Sequence, residues 1–315
     1  MLKALPERQS PSRRLVLLAA AATLAACQTR PLTPTAPSGP TTPMPPPAGL
    51  PAAPRPTRPP KLGLALGGGA ARGFAHIGVI QVLEEAGIRP DLVVGTSAGS
   101  LVAALYAQGK NGAELATLAL TMDEGAITDW AYPSRGMIRG EALARYVREQ
   151  TGGVTIEQSK LRLGIVATDL DSGAAVLFER GDIGQAVRAS SSVPAVFQPV
   201  KIGNREYVDG GLVSPVPVRF ARQMGAEMVI AVDISSPPDG NATGDTLKLL
   251  LQTFAIMGKS INQYELRDAD VVLRPALVGV SSADFTSRVR AIRSGRETAT
   301  ALLPEIKAKL AALAR

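Results

Sequence analysis

The apolar run Leu92-Val93-Val94 passes into Gly95-Thr96-Ser97-Ala98-Gly99 and then into Ser100-Leu101-Val102-Ala103-Ala104-Leu105. A strand that turns into a helix with no linker leaves Ser97 at a sharp bend, and the flanking glycines let the two elements approach closely. Such a junction confines the chain to α/β architectures, in which strand tips gather functional side chains at one edge of a sheet. A serine hydroxyl is a weak nucleophile until a base and an oxyanion site surround it, so the pattern asks for partners elsewhere.

The usual partner is excluded by position. The chain has one histidine, His76, and it precedes the serine inside a helical pattern, whereas serine-elbow hydrolases with a triad run serine, acid, histidine. A carboxylate in an apolar setting can replace the imidazole, because desolvation raises its pKa toward working pH. Asp209 is the candidate: Tyr207-Val208-Asp209-Gly210-Gly211 reads as a short strand ending in a carboxylate beside two glycines. His76 itself reads as a packing residue.

Leu62-Gly63-Leu64-Ala65-Leu66 is an apolar strand that runs into Gly67-Gly68-Gly69-Ala70-Ala71-Arg72-Gly73 and then a helix. Successive amides at a helix start attract negative charge, either a phosphate or the oxyanion of a tetrahedral intermediate. The dinucleotide pattern G-x-G-x-x-G closes in neither frame, and no P-loop string occurs. An oxyanion site is the better reading.

A glycine loop with a basic residue, a G-x-S-x-G elbow and an Asp-Gly-Gly segment, in that order, resemble the patatin-like phospholipase family, in its bacterial branch. The resemblance covers about residues 62 to 235. It implies a serine acyl hydrolase acting on phospholipid or lysophospholipid esters through a Ser97–Asp209 dyad. It also implies an oxyanion loop formed by Gly68, Gly69 and Ala70 with Arg72 in support, elbow and dyad glycines at Gly95, Gly99, Gly210 and Gly211, and neither metal nor organic cofactor. Many members carry glycine where Ala70 stands, so a positive φ there would strain the loop. A thioesterase using the same dyad and a non-catalytic lipoprotein that binds acyl chains or a partner are the alternatives.

The first 27 residues combine Lys3, Arg8, Arg13 and Arg14 with a short apolar run ending in Leu24-Ala25-Ala26-Cys27. This is a secretion signal whose end resembles a bacterial lipoprotein cleavage box, implying a lipidated Cys27 and anchorage on the periplasmic side, with the outer membrane favoured. Cys27 is the only cysteine, so no intramolecular disulfide can form. Residues 28–60 follow as a Pro/Thr-rich linker; 13 of the 25 prolines fall between Pro31 and Pro60, a composition that extends rather than folds.

Charge follows the same boundary. Residues 1–60 hold seven basic residues against Glu7, a net of +6 out of +7 for the whole chain, so the remainder is close to neutral. No nucleic-acid partner is therefore expected. The remaining 255 residues (315 less 60) suffice for one large α/β unit: a patatin-like domain over 61–235 and a helical extension over 236–315 packed on it.

Strands are expected at Leu62–Leu66, Leu92–Val94, Leu163–Ala167, Met228–Val232 and Val271–Leu273. Helices are expected at Ala71–Ala86, Ser100–Gln108, Gly140–Gln150, Ile183–Ala189 and Val218–Met224. Strands that are apolar throughout are covered on both faces, which gives a three-layer sandwich around a mainly parallel sheet. Asp169-Leu170-Asp171 reads as structural, and Ser190 to Ala195 resembles a serine-proline loop beside the active site. Ala283 to Arg315 reads as a basic helical tail with a solvated or lipid-facing side.

Overall fold

Three of the expected strands are apolar at nearly every position, and burial on both faces is what such strands require. In the computed structural model the described residues are 58–131, 135–236, 244–280 and 285–314. The signal peptide, Cys27 and the linker up to residue 57 lie outside them. The elements in chain order are β1 (Leu62–Leu66), α1 (Phe74–Glu85), β2 (Leu92–Thr96), α2 (Ala98–Ala107), α3 (Gly112–Thr121), β3 (Gly136–Ile138), α4 (Glu141–Thr151), β4 (Arg162–Asp169) and β5 (Ala175–Phe178). They continue with α5 (Ile183–Ser190), β6 (Ala195–Phe197), β7 (Val200–Ile202), β8 (Arg205–Asp209), α6 (Val218–Gln223), β9 (Met228–Val232), α7 (Thr246–Glu265), β10 (Val271–Leu273) and α8 (Arg288–Leu313).

The sheet runs β10-β9-β1-β2-β4-β8-β7, with β5 also paired to β4, and the five strands from β10 to β4 are parallel. The other three pairings are antiparallel. The expected three-layer α/β sandwich with a mainly parallel centre is therefore observed. β3 and β6 form a separate two-stranded ribbon.

Alternation along the strands sorts the two faces. Leu62, Leu64 and Leu66 join Val93, Ile165 and Ile230 in a large core beneath α1, α2 and α8. Ala65, Val94, Val166 and Ala231 face the other way, onto Phe220 and Met224 around α6. Small side chains on that face let α6 sit close. A Cβ at Gly63 would fall 2.7 Å from that of Ala226.

The expected basic tail becomes α8, which packs along α1 with Ala291, Ile292, Gly295, Ala299 and Ile306 buried. Two glycines make this crossing possible. A Cβ on Gly78 would lie 2.0 Å from the Ile292 carbonyl oxygen, and one on Gly295 would lie 2.0 Å from that of Ala75. Two arginines of the tail are also occupied. Arg288 donates to the Ala119 and Met122 carbonyls, and Arg296 pairs with Glu85. The described residues fall within one compact unit, and no helix among them is long and apolar enough to cross a membrane.

Candidate active site

The register of one strand builds the site. β2 runs parallel to β4 and ends with Thr96 opposite Val166; β8 runs antiparallel and ends with Asp209 opposite Ala167. β5 occupies the other edge of β4 over Ile165 to Thr168, so β2 and β8 share one edge and meet end to end. Ser97 and Asp209, far apart in sequence, are brought together where the two strand tips converge.

At the tip of β2 the chain turns so sharply that Ser97 adopts φ 53°, ψ −123° before α2 begins. Side chains avoid this region of conformational space, and such strain persists only where the surroundings enforce it. Here α2 sits directly on the sheet edge: a Cβ on Gly95 would lie 2.3 Å from the Gly99 carbonyl oxygen, and one on Gly99 would lie 2.1 Å from that of Leu66. The Ser97 amide donates to Ser190 Oγ at 2.8 Å, while that hydroxyl donates onward to the Val166 carbonyl. Ser190 thus fixes the elbow to β4. The sequence flagged its segment without singling it out, since nothing local distinguishes it from Ser191 or Ser192.

Asp209 is 6% exposed, and burial pushes its pKa up to about 6, against the opposing pull of the Ser97 hydroxyl and the Gly211 amide. Oδ1 accepts from Gly211 N–H at 2.7 Å. Oδ2 is buried without a hydrogen-bond partner, and the neighbouring Ser97 hydroxyl pulls the carboxyl's pKa down against the effect of burial. Catalytic contacts of this kind often tighten only when substrate aligns them. The backbone on either side is secured, since Asp209 N–H donates to the Ser192 carbonyl and its own carbonyl accepts from Thr168 Oγ1. Gly210 has no room for a side chain, because a Cβ would lie 2.2 Å from the Val166 carbonyl oxygen.

The glycine loop lies against the elbow, with a Cβ at Gly68 only 3.1 Å from that of Ser97. Of the three residues expected to offer amides there, Gly68 is already engaged: its N–H donates to the Pro215 carbonyl at 2.9 Å. The amides of Gly69 and Ala70 open the short helix Ala70–Gly73 and have no protein acceptor among the described residues. Ala70 has φ 48°, so the strain that a positive φ would impose on alanine is present. Arg72, grouped with these amides at the sequence level, turns away from them. Its buried guanidinium donates to the Ile234 and Ser235 carbonyls at 2.8 and 3.0 Å and holds the loop to the segment after β9. His76 is fully buried, with Nε2 2.8 Å from the Gly67 carbonyl oxygen, and burial lowers its pKa to about 4. It is a neutral packing residue that steadies the loop.

Asp169 also has a structural part, accepting from Ser172 and pairing with Arg205. An apolar cleft leads away from the loop and elbow. It begins at Ala70 and Ala98 and continues past Leu101, Leu118 and Met122 to Phe285. No group of three or more His, Cys, Asp or Glu side chains able to hold a metal ion occurs among the described residues.

A parallel-sheet α/β protein with a strained serine at one strand tip, a buried carboxyl at the adjoining tip and an amide-bearing loop against the serine has the form of a serine acyl-transfer site. The family model for patatin-like phospholipases matches residues 64–222, and the chain belongs to that family. An uncharacterized NTE family protein of Mycobacterium tuberculosis is 38% identical over 186 residues, covering 58% of this chain and 51% of that protein. A second one from the same organism is 30% identical over 269 residues, covering 77% and 46%. Patatin-like phospholipase domain-containing protein 6 of Mus musculus is 36% identical over 197 residues, covering 59% of this chain and 14% of that protein. The chain spans about half the length of the mycobacterial relatives. In fold it is similar to VipD from Legionella pneumophila, with a TM-score of 0.55 at 16% identity over 79% of this chain and 68% of that one.

Proposed function

We propose that the protein is a lipid acyl hydrolase in which Ser97 is the nucleophile and Asp209 the general base. The observation that carries this reading is the buried Asp209 carboxyl, raised in pKa to about 6 and set beside a serine forced into a strained elbow. A carboxylate poised near neutrality can take a hydroxyl proton, whereas a solvated one near its ordinary pKa would be too weak a base.

In the proposed cycle Asp209 accepts the Ser97 proton as Oγ attacks the ester carbonyl carbon. The carbonyl oxygen becomes an oxyanion facing the amides of Gly69 and Ala70. Collapse breaks the ester C–O bond, and the departing alkoxide takes the proton from Asp209. Water then gives a proton to Asp209 and attacks the acyl carbon. Expulsion of Ser97 releases the fatty acid, and Oγ recovers its proton. The acyl chain lies in the apolar cleft from Ala98 toward Phe285. The substrates are phospholipid or lysophospholipid esters, and Cys27, lipidated at the end of an exported signal, tethers the enzyme to the periplasmic side of a bacterial membrane, the outer one favoured.

The test is fatty-acid release from phospholipids and lysophospholipids by the full chain, beside Ser97→Ala and Asp209→Asn. Both substitutions are expected to lower turnover by roughly three or more orders of magnitude. Equal hydrolysis by all three would remove the dyad. A folded protein in which a fluorophosphonate leaves Ser97 unlabelled would favour acyl-chain binding without catalysis.

A further inference from the structure

Helix α7 is unlike the others. It runs 20 residues from Thr246 to Glu265, yet only Asn262 and Glu265 are buried. Of the ten large apolar side chains exposed among the described residues, five belong to it: Leu249, Leu251, Ile256, Met257 and Tyr264. Four of these fall on one stripe, since at 100° per residue Leu249, Ile256, Met257 and Tyr264 lie within about 100° of one another. Lys248 and Lys259 come within about 20° of each other on the flank adjoining Ile256. No carboxylate occurs between Thr246 and Tyr264. Lys248 has an exposed pairing with Asp245 at 3.7 Å, a contact that competes weakly with any other anion.

The helix is anchored beside the candidate active site. Its C-terminal half rests on Gly210–Leu212, directly after Asp209. Asn262 donates to Ser235 Oγ, Ser214 Oγ donates to Glu265, and Gly258 lies next to Pro215, whose carbonyl holds the Gly68 amide. The apolar stripe, from Leu249 through Ile256 and Met257 to Tyr264, faces outward along the helix.

We propose that α7 is the surface by which the protein lies on a phospholipid bilayer, with Leu249, Ile256 and Met257 entering the headgroup–acyl boundary and Lys248 and Lys259 reaching lipid phosphates. An apolar stripe with lysines on its flank and no acidic residue is the pattern of a helix lying in a membrane interface, where long lysine stems keep the ammonium at phosphate level. The placement rests on the reading of the site as one that acts on lipid: docking there would present a bilayer to the end of the sheet where Ser97 and Asp209 meet. α8 has no such surface, because its apolar face is buried on α1 and Arg288 and Arg296 already have internal partners.

The test uses the full chain in a Trp130→Phe background with a single reporter, either Ile256→Trp or, on the exposed side of α8, Glu305→Trp. Vesicles carry brominated phosphatidylcholine, alone or mixed with an equal part of phosphatidylglycerol. The reporter at position 256 is expected to shift to the blue and be quenched, and the one at 305 to be unaffected; both share the N-terminal segment, so the difference isolates α7. The pair Ile256→Asp and Met257→Asp is expected to lower hydrolysis of vesicle phospholipid by at least about tenfold, while leaving kcat/KM for a soluble short-chain p-nitrophenyl ester within about twofold. Absence of quenching at 256 overturns the proposal, and so does an equal loss on both substrates, which would make α7 a wall of the site. A concentration-dependent dimer abolished by the two aspartates also overturns it, since a second copy would then cover the stripe. If the unaltered chain hydrolyses neither substrate, the acyl-hydrolase reading fails, but quenching still decides the docking.

Discussion

Asp209 carries opposite consequences for chemistry and for stability. In its proposed role as base it must be ionised, so kcat/KM for a soluble ester is expected to rise with pH and level off above about 6, which a pH–rate profile will show. For stability, a carboxyl whose folded pKa exceeds its ordinary 3.8 keeps its proton in the folded state while the unfolded chain has already released it. Stability is therefore lost as pH rises from about 4 to about 6, by on the order of 3 kcal/mol for a displacement of about two pKa units. Asp209→Asn is expected to abolish turnover yet melt several degrees higher than the unaltered protein at neutral pH, with little difference below about pH 4; thermal unfolding across that range checks it. His76 gives the mirror case, because a site that keeps it neutral down to about 4 favours unfolding as pH falls below 6.5.

Ala70 belongs to the same scale. At φ 48° an alanine is strained by about 1 kcal/mol, a cost that glycine avoids. Ala70→Gly is expected to raise the melting temperature slightly without lowering ester turnover, as calorimetry beside a steady-state assay would report. Ser97 and Asp209 stand out as candidates from residue type and order, whereas the strain at Ala70 is expected only from the family resemblance. What could not be read was which amide is free. Gly68 and Gly69 look alike in sequence, and only the Pro215 carbonyl, distant along the chain, distinguishes them.

Among the elements, legibility follows burial. β1, β2 and β9 declare themselves because every position is buried, and their observed limits match or nearly match the apolar runs. β5 is half-buried throughout and β3, β6 and β7 are three residues each, too short for alternation to register. α7 is hidden for another reason: the four leucines between Leu247 and Leu251 flank Lys248 and spread around the whole helix, so its periodicity is blurred. The end-to-end meeting of β2 and β8 is beyond any local pattern, because pairing register belongs to β4 and not to either motif. The α1–α8 crossing offers a test at this scale. Gly78→Ala or Gly295→Ala would drive a methyl into backbone of the facing helix, and each is expected to cost about 2 kcal/mol or more, measurable by denaturant unfolding.

At the level of the whole molecule, α8 is part of the fold. It covers α1, the helix that follows the glycine loop, and shares the large core with Ile77, Ile80 and Leu273. A chain ending before Arg288 is expected to lose cooperative unfolding, and circular dichroism on heating would show a broad, early transition. The near-neutral charge of residues 61–315 fits this arrangement, since Arg288 and Arg296 of α8 are matched by carboxylates and carbonyls of neighbouring elements.

The rungs Val166 and Ala167 of one strand fix the two strand tips that carry the hydroxyl and the carboxyl. Apart from β4 itself and the Ser190–Ser192 segment that ties down both tips, the chain between the first tip and the second is thereby released from responsibility for their alignment. Loops elsewhere in that interval can be lengthened, traded or reshaped, and the hydroxyl and the carboxyl will stay in tune so long as β4 keeps its register.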